Sequence, residues 1–245
     1  MDTSYWTALN PDIKFQDTLK VTYGHCLYRL SIQAIGASAL RQNQNLADAI
    51  TWRNNRARDY NWGGSWRTKL VTKEDADLLA LIKEQIDYNE MYARMPKNGI
   101  KVRIEEPNIH FYSRHELPLR GIAAKLSCRD NSHFVSLMRP ASPEHEQIIL
   151  DGFTIRKNKI EWPYRIIMRD GRYNESSKQQ ISNYLKALGD QIKVPRGLWE
   201  QLEKGGWIWG GYIYVHDRNL STMLSLIDSR VVSRVEEFKS ADTTE

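Results

Sequence analysis

Tyr28-Arg29-Leu30-Ser31-Ile32-Gln33 alternates apolar and polar side chains, the period of a strand with one face turned into a core. Tyr164-Arg165-Ile166-Ile167-Met168-Arg169 opens in the same way much later in the chain. A second pair of segments follows suit. Ile109-His110-Phe111-Tyr112-Ser113-Arg114 matches Tyr212-Ile213-Tyr214-Val215-His216-Asp217 in residue type, and each precedes a short helical stretch. With helices between them, these segments predict an α+β fold of two divergent copies of a small ferredoxin-like strand/helix unit, helices packed on sheets.

Working outward, Asn45 is placed to cap a helix through Leu46, Ala49, Ile50, Trp52 and Arg53 that should stop at Trp62-Gly63-Gly64. Lys73-Glu74-Asp75 opens a stronger helix whose apolar stripe includes Leu79, Ile82 and Ile86, with Met95-Pro96 as its stop. Ile100, Val102 and Ile104 alternate with charged residues up to Pro107, so that 99–112 reads as one bent or bulged strand. His115 to Leu126 reads as a short helix that tolerates Pro118 in its first turn. Arg139-Pro140-Ala141-Ser142-Pro143 reads as a linker. Beyond it, Asn174 caps a helix ended by Gly189, Pro195 starts a short one, Trp207 to Val215 is strongly β-prone, and Asn219 caps a last helix before the strand Val231–Val235. The expected division is an arm at 1–20, a first module at 21–140 with a helical insertion, a second at 141–240 and a frayed tail at 241–245.

Composition narrows the function classes. The 245 residues carry 35 Lys plus Arg against 30 Asp plus Glu, a net charge of +5, and 41% are hydrophobic, enough for a real core. No apolar run approaches a membrane span and the start lacks a signal-peptide layout, so no membrane partner and a cytoplasmic location are expected. Cys26 and Cys128 are too few for a disulfide framework or a Cys-rich zinc site. Glu144-His145-Glu146 and Glu105-Glu106 are sequence neighbours, which do not converge on one ion. No phosphate loop or nucleophile elbow occurs, so neither metal nor cofactor is expected.

What stands out is the mixing of cations with rings. Arg53, Arg56, Arg58, Arg67 and Lys69 interleave with Trp52, Tyr60, Trp62 and Trp66, a pattern in which guanidinium groups pair with phosphates while rings stack on bases. The same pattern serves a packed loop whose arginines cover its rings. A second basic stretch runs over 151–198, with Arg156, Lys157, Lys159, Arg165, Arg169, Arg172, Lys178, Lys186, Lys193 and Arg196 set against Asp151, Glu161, Asp170, Glu175 and Asp190. It reads as a positive groove or as a solvated face. His110, His115 and His216 fall at comparable strand-to-helix junctions in the repeat, where an imidazole beside a cation suffices for metal-free RNA cleavage or simply bonds locally.

Arg58-Asp59-Tyr60-Asn61-Trp62-Gly63-Gly64-Ser65-Trp66, Leu188-Gly189-Asp190-Gln191-Ile192-Lys193-Val194-Pro195 and the strand from Trp209 to Asp217 resemble segments of uncharacterised proteins of tailed bacteriophages. The resemblance implies a viral product in a bacterial cytoplasm or in a particle, and it carries over no catalytic residue. The leading reading is therefore a nucleic-acid-binding accessory protein. A non-catalytic virion or adaptor protein that binds a protein partner or itself is the alternative, and a metal-independent RNA endonuclease is the third.

Overall fold

The computed structural model describes residues 3–42, 45–59, 69–92, 99–127, 131–204 and 207–241. The chain divides into two compact units, Met1–Glu146 and Gln147–Glu245, each a mixed α+β assembly with helices packed on a sheet. The boundary expected near residue 140 falls a little later, inside helix α5 (Pro143–Leu150).

The first unit holds β1 (Lys14–Asp17), β2 (Tyr28–Gln33), β3 (Lys101–Glu105), β4 (Asn108–Ser113) and β5 (Phe134–Arg139) in the order β1-β5-β2-β4-β3. Only the β1–β5 pair is parallel. Helices α2 (Leu46–Asp59) and α3 (Lys73–Tyr92) lie between β2 and β3, and α4 (Glu116–Leu126) lies between β4 and β5. That is the β-α-β-β-α-β connectivity of ferredoxin-like units, with β1 added at one edge.

Local chemistry fixes these elements. Asn45 Oδ1 accepts from the Ala47 amide at 2.8 Å, the cap expected for α2. At the head of α3, Thr72 Oγ1 accepts the Asp75 amide at 3.1 Å while Asp75 accepts the Thr72 amide at 3.0 Å, a reciprocal cap. The stripe Leu79, Ile82 and Ile86 is buried as its spacing required. On the sheet, Leu30, Ile32, Ile109, Phe111 and Leu137 are fully buried, and α4 adds Leu119, Ile122 and Leu126. Each such side chain contributes about 1.5–3 kcal/mol by leaving water.

Two expectations change here, and one strand is added. Residues 1–20 are more than an arm: α1 (Ser4–Leu9) buries Trp6 completely, with its indole donating to Glu116 at 2.8 Å, and Lys14–Asp17 pairs with β5. The segment around Pro107 is a hairpin rather than a bulged strand, because β3 and β4 pair antiparallel through Glu105↔Asn108. Phe134–Arg139, before the proline-rich linker, is itself a strand.

The second unit repeats the plan. Its sheet has the order β6-β12-β7-β11-β9, from β6 (Thr154–Arg156), β7 (Tyr164–Met168), β9 (Ile192–Lys193), β11 (Tyr212–Val215) and β12 (Val232–Ser240). Again only the outermost added strand, β6, is parallel to its neighbour. Helix α6 (Glu175–Leu188) joins β7 to β9, α7 (Arg196–Glu203) follows β9, and α8 (Leu220–Ile227) joins β11 to β12. Ile166, Met168, Ile213 and Val215 form the core with Ile181, Leu185, Leu198 and Leu224 from these helices. Asn174 caps α6 by accepting the Ser177 amide at 2.6 Å.

The β-prone run from Trp207 divides into β10 (Trp207–Ile208), paired with β8 (Gly171–Arg172), and β11, with Gly210 at φ +59° between them. The last strand, expected over Val231–Val235, runs on to Ser240, and the Ala241 amide bonds to the Arg156 carbonyl; 242–245 of the expected tail lie outside the described residues. Among the described residues no helix is long and apolar enough to cross a membrane.

Candidate nucleic-acid interface

Residues directly opposite each other on paired strands project from the same side of a sheet. In the first unit the register sets Met138, Arg29, Tyr112 and Lys101 in one row across β5, β2, β4 and β3. In the second, the corresponding strands β12, β7, β11 and β9 set Glu236, Arg165, Tyr214 and Lys193 in one row. An arginine on the first core strand, a tyrosine on the third and a lysine on the second thus recur at the same register. The third strand also repeats a ring two residues earlier, His110 in one unit and Tyr212 in the other. Both rows lie on the sheet face opposite the apolar core residues.

In the first unit this face is charged and partly open. A neighbouring row holds Lys14, Ser136, Ser31, His110 and Arg103. Lys14, Lys101 and Arg103 are exposed. Arg29 Nη2 donates to Gln16 Oε1 at 2.7 Å, whereas its Nε is buried without a partner. Tyr23 packs its ring edge-on against Tyr112, centroids 4.8 Å apart, and remains 44% exposed. Tyr23 is held at φ +49°, a left-handed conformation that costs a bulky side chain about 1–3 kcal/mol. The reciprocal Thr22–Cys26 backbone bonds, 2.9 and 2.8 Å, clamp the loop in that shape. Arg103, opposite His110, pairs with Glu105.

His110 is anchored within the same face. Its Nδ1 lies 2.9 Å from Ser31 Oγ and its Nε2 3.4 Å from a Glu105 oxygen. Burial, helped by the Arg29 charge and opposed by Glu105, holds its pKa below the ordinary histidine value. The ring is therefore neutral at physiological pH.

In the second unit the equivalent face is more self-contained. Arg165 donates through Nε, at 3.0 Å, and Nη2 to Glu236, and its guanidinium lies 5.5 Å from the Tyr212 ring and 5.6 Å from the Phe238 ring. Arg234 bonds to the other Glu236 oxygen at 3.1 Å. Arg156 sits 4.2 Å over the Phe238 ring and donates to the Tyr214 hydroxyl at 3.5 Å. One buried carboxylate thus neutralises two of the cations, so the first unit presents the freer version of the motif.

The expected site residues scatter. Arg53 is buried and its guanidinium is occupied inside the protein: Nη2 lies 3.2 Å from Glu106 Oε1 and Nη1 donates to the Lys69 carbonyl at 2.8 Å. Arg56 and Arg58 are exposed on α2, with Arg56 5.2 Å over the exposed Trp52 ring, and the Lys69 side chain is exposed. Tyr60, Trp62, Gly63, Gly64, Trp66 and Arg67 lie outside the described residues, as do the helix stop at Met95-Pro96 and Cys128. Arg156 and Arg165 join the sheet face just described. Lys157 and Lys159 are exposed after β6, and Arg169 and Arg172 are exposed beside the Gly171 turn. Lys178, counted in the basic stretch, is fully buried and donates to the Gln201 carbonyl at 3.3 Å.

Two of the three histidines, His115 and His216, lie at corresponding strand-to-helix junctions, and His110 does not. His110 lies within β4, His115 is the exposed residue before α4, and His216 follows β11 with its ring tilted against Trp162 at 4.2 Å. Among the described residues no three His, Cys, Asp or Glu side chains cluster as metal ligands.

The residues that sequence reading passed over are Arg29, Lys101, Arg103, Tyr112, Tyr214 and Tyr23. The signal was present in the Tyr-Arg-Leu and Tyr-Arg-Ile repeats, whose arginines fall on the polar phase of each strand. A scan against protein-family models finds no match to the chain, and a search of curated proteins finds none either.

Proposed function

We propose that this is a nucleic-acid-binding accessory protein that holds an unpaired strand on the polar face of its first sheet. The supporting observation is the arginine–tyrosine–lysine row, present at one register in both sheets, together with the exposed Tyr23 ring at its edge. A sheet face that presents an exposed ring among cations suits splayed bases, whereas a duplex is read by an element that enters a groove. Lys14, Lys101, Arg103 and Arg29 would meet phosphates, and the exposed Tyr23 ring, backed by the buried Tyr112, would offer its surface to bases. In the setting that the tailed-phage resemblance suggests, the polymer is viral or host nucleic acid in an infected bacterium.

The test is fluorescence anisotropy with labelled single-stranded RNA, single-stranded DNA and duplex DNA at two ionic strengths. Single strands should bind best, with affinity falling as salt rises. Replacing the exposed Lys101 and Arg103 by Ala should reduce the logarithmic salt slope by about 0.7 per cation removed. Tyr23→Ala should cost about 1–3 kcal/mol of binding. Parent protein that binds none of the three polymers, or variants that bind as the parent does, would refute the proposal.

A further inference from the structure

The alternation of β10 carries a second site. Ile208 is fully buried in the second unit's core, so its neighbours Trp207 and Trp209 are driven outward, where they stay 51% and 63% exposed. The indoles stack on each other with centroids 5.2 Å apart and planes 18° from parallel. Arg172 on β8 is directly opposite Trp207 and therefore shares its side of the two-stranded ribbon.

This platform is built rigidly. One side-chain amide clamps the Trp209 backbone from both ends: Gln201 Oε1 accepts its N–H at 2.8 Å, and Gln201 Nε2 donates to its carbonyl at 3.3 Å. Asp170 accepts the Gly210 amide at 2.6 Å. A Cβ at Gly211 would stand 2.8 Å from Ile208 and 3.1 Å from Leu198, so only glycine lets the chain pass this close to the core. Two large apolar rings are thus fixed in water by a scaffold that gains nothing from exposing them. The charge that the register places on their side of the ribbon is the exposed Arg172, while the Asp170 carboxylate accepts the Gly210 amide. Flat π-surfaces with a cation on the same side complement bases joined by phosphates.

We propose that Trp207 and Trp209, with Arg172, form a second stacking site for unpaired bases, separate from the first unit's sheet face. This rests on the nucleic-acid reading above. The experiment titrates the whole protein with labelled oligouridylate and oligodeoxythymidylate, following both anisotropy and quenching of tryptophan emission. W207A/W209A should bind about 5- to 150-fold more weakly with an unchanged salt slope. W207F/W209F should recover most of the loss, and Arg172→Ala should lower the slope by about 0.7.

A W207A/W209A variant that binds these strands like the parent overturns this site while leaving the sheet-face reading intact. A parent that binds neither strand overturns both. A double variant that binds strands normally but loses self-association in sedimentation assigns the indoles to a protein contact, and likewise overturns the proposal.

Discussion

Replacing Arg53 with Ala tests whether this arginine belongs to the inside of the protein or to its binding surface. Its side chain and that of Glu106 are each 9% exposed, so the substitution leaves a carboxylate in a nearly dry site. Glu106 still accepts the Gly36 amide at 2.9 Å and the Ser38 amide, but it loses its only charged partner among the described residues, and the Lys69 carbonyl loses its donor. Breaking a buried pair from one side costs about 3–5 kcal/mol. With a urea slope of about 2 kcal/mol/M, the midpoint for the first unit should fall by about 2 M. Arg53→Met with Glu106→Gln should restore much of that, because the unpaired charge is gone. Urea melts followed by circular dichroism read the stability, and anisotropy well below the new midpoint reads binding. An Arg53→Ala protein with an unmoved midpoint and weakened strand binding would refute the reasoning and return Arg53 to the surface.

Asp228 sets an acid limit on the second unit. Hydrogen bonds from the Arg230 side chain, then from the Arg230 backbone amide and Ser177, push its pKa down to about 2. The unfolded chain therefore binds the extra proton first, and this stability is complete above about pH 4 and lost as the pH falls toward 2. Because Arg230 is largely in water, screening limits the effect to about 1 kcal/mol. Asp228→Asn should flatten that part of the stability profile in urea melts, and identical acid losses in parent and variant would exclude the role. Burial pushes the Cys26 thiol up to about 11, so in a Cys128→Ser background a thiol reagent at pH 8 should label the native protein only at its opening rate. Labelling as fast as in the unfolded chain would contradict its burial.

The legible part of the fold was the part whose side chains alternate against a core. Tyr28–Gln33 and Tyr164–Met168 are corresponding strands of the two sheets, as are the strands that hold His110 and Tyr214. Lys14–Asp17 was not legible because it is exposed throughout and held by backbone pairing to distant Ser136–Arg139, which no local period encodes. Arg53 looked like one more cation on a wet helix because its partner Glu106 is 53 residues away. Candidate-site residues were missed for a related reason. The strand phase of Arg29 and Lys101 is visible in one dimension, but that both flank Tyr112 depends on register. Trp207 and Trp209 read only as part of a β-prone run, and the buried Ile208 between them reveals which way they turn.

In each unit the strand made first is seated beside the strand made last. Lys14 cannot meet Ser136 until nearly all of the first unit has left the ribosome, and until then Tyr28–Gln33 lacks its neighbour on that side. Nascent chains of this protein are thus exposed to wrong partners for most of each unit's synthesis, and closure comes late and all at once.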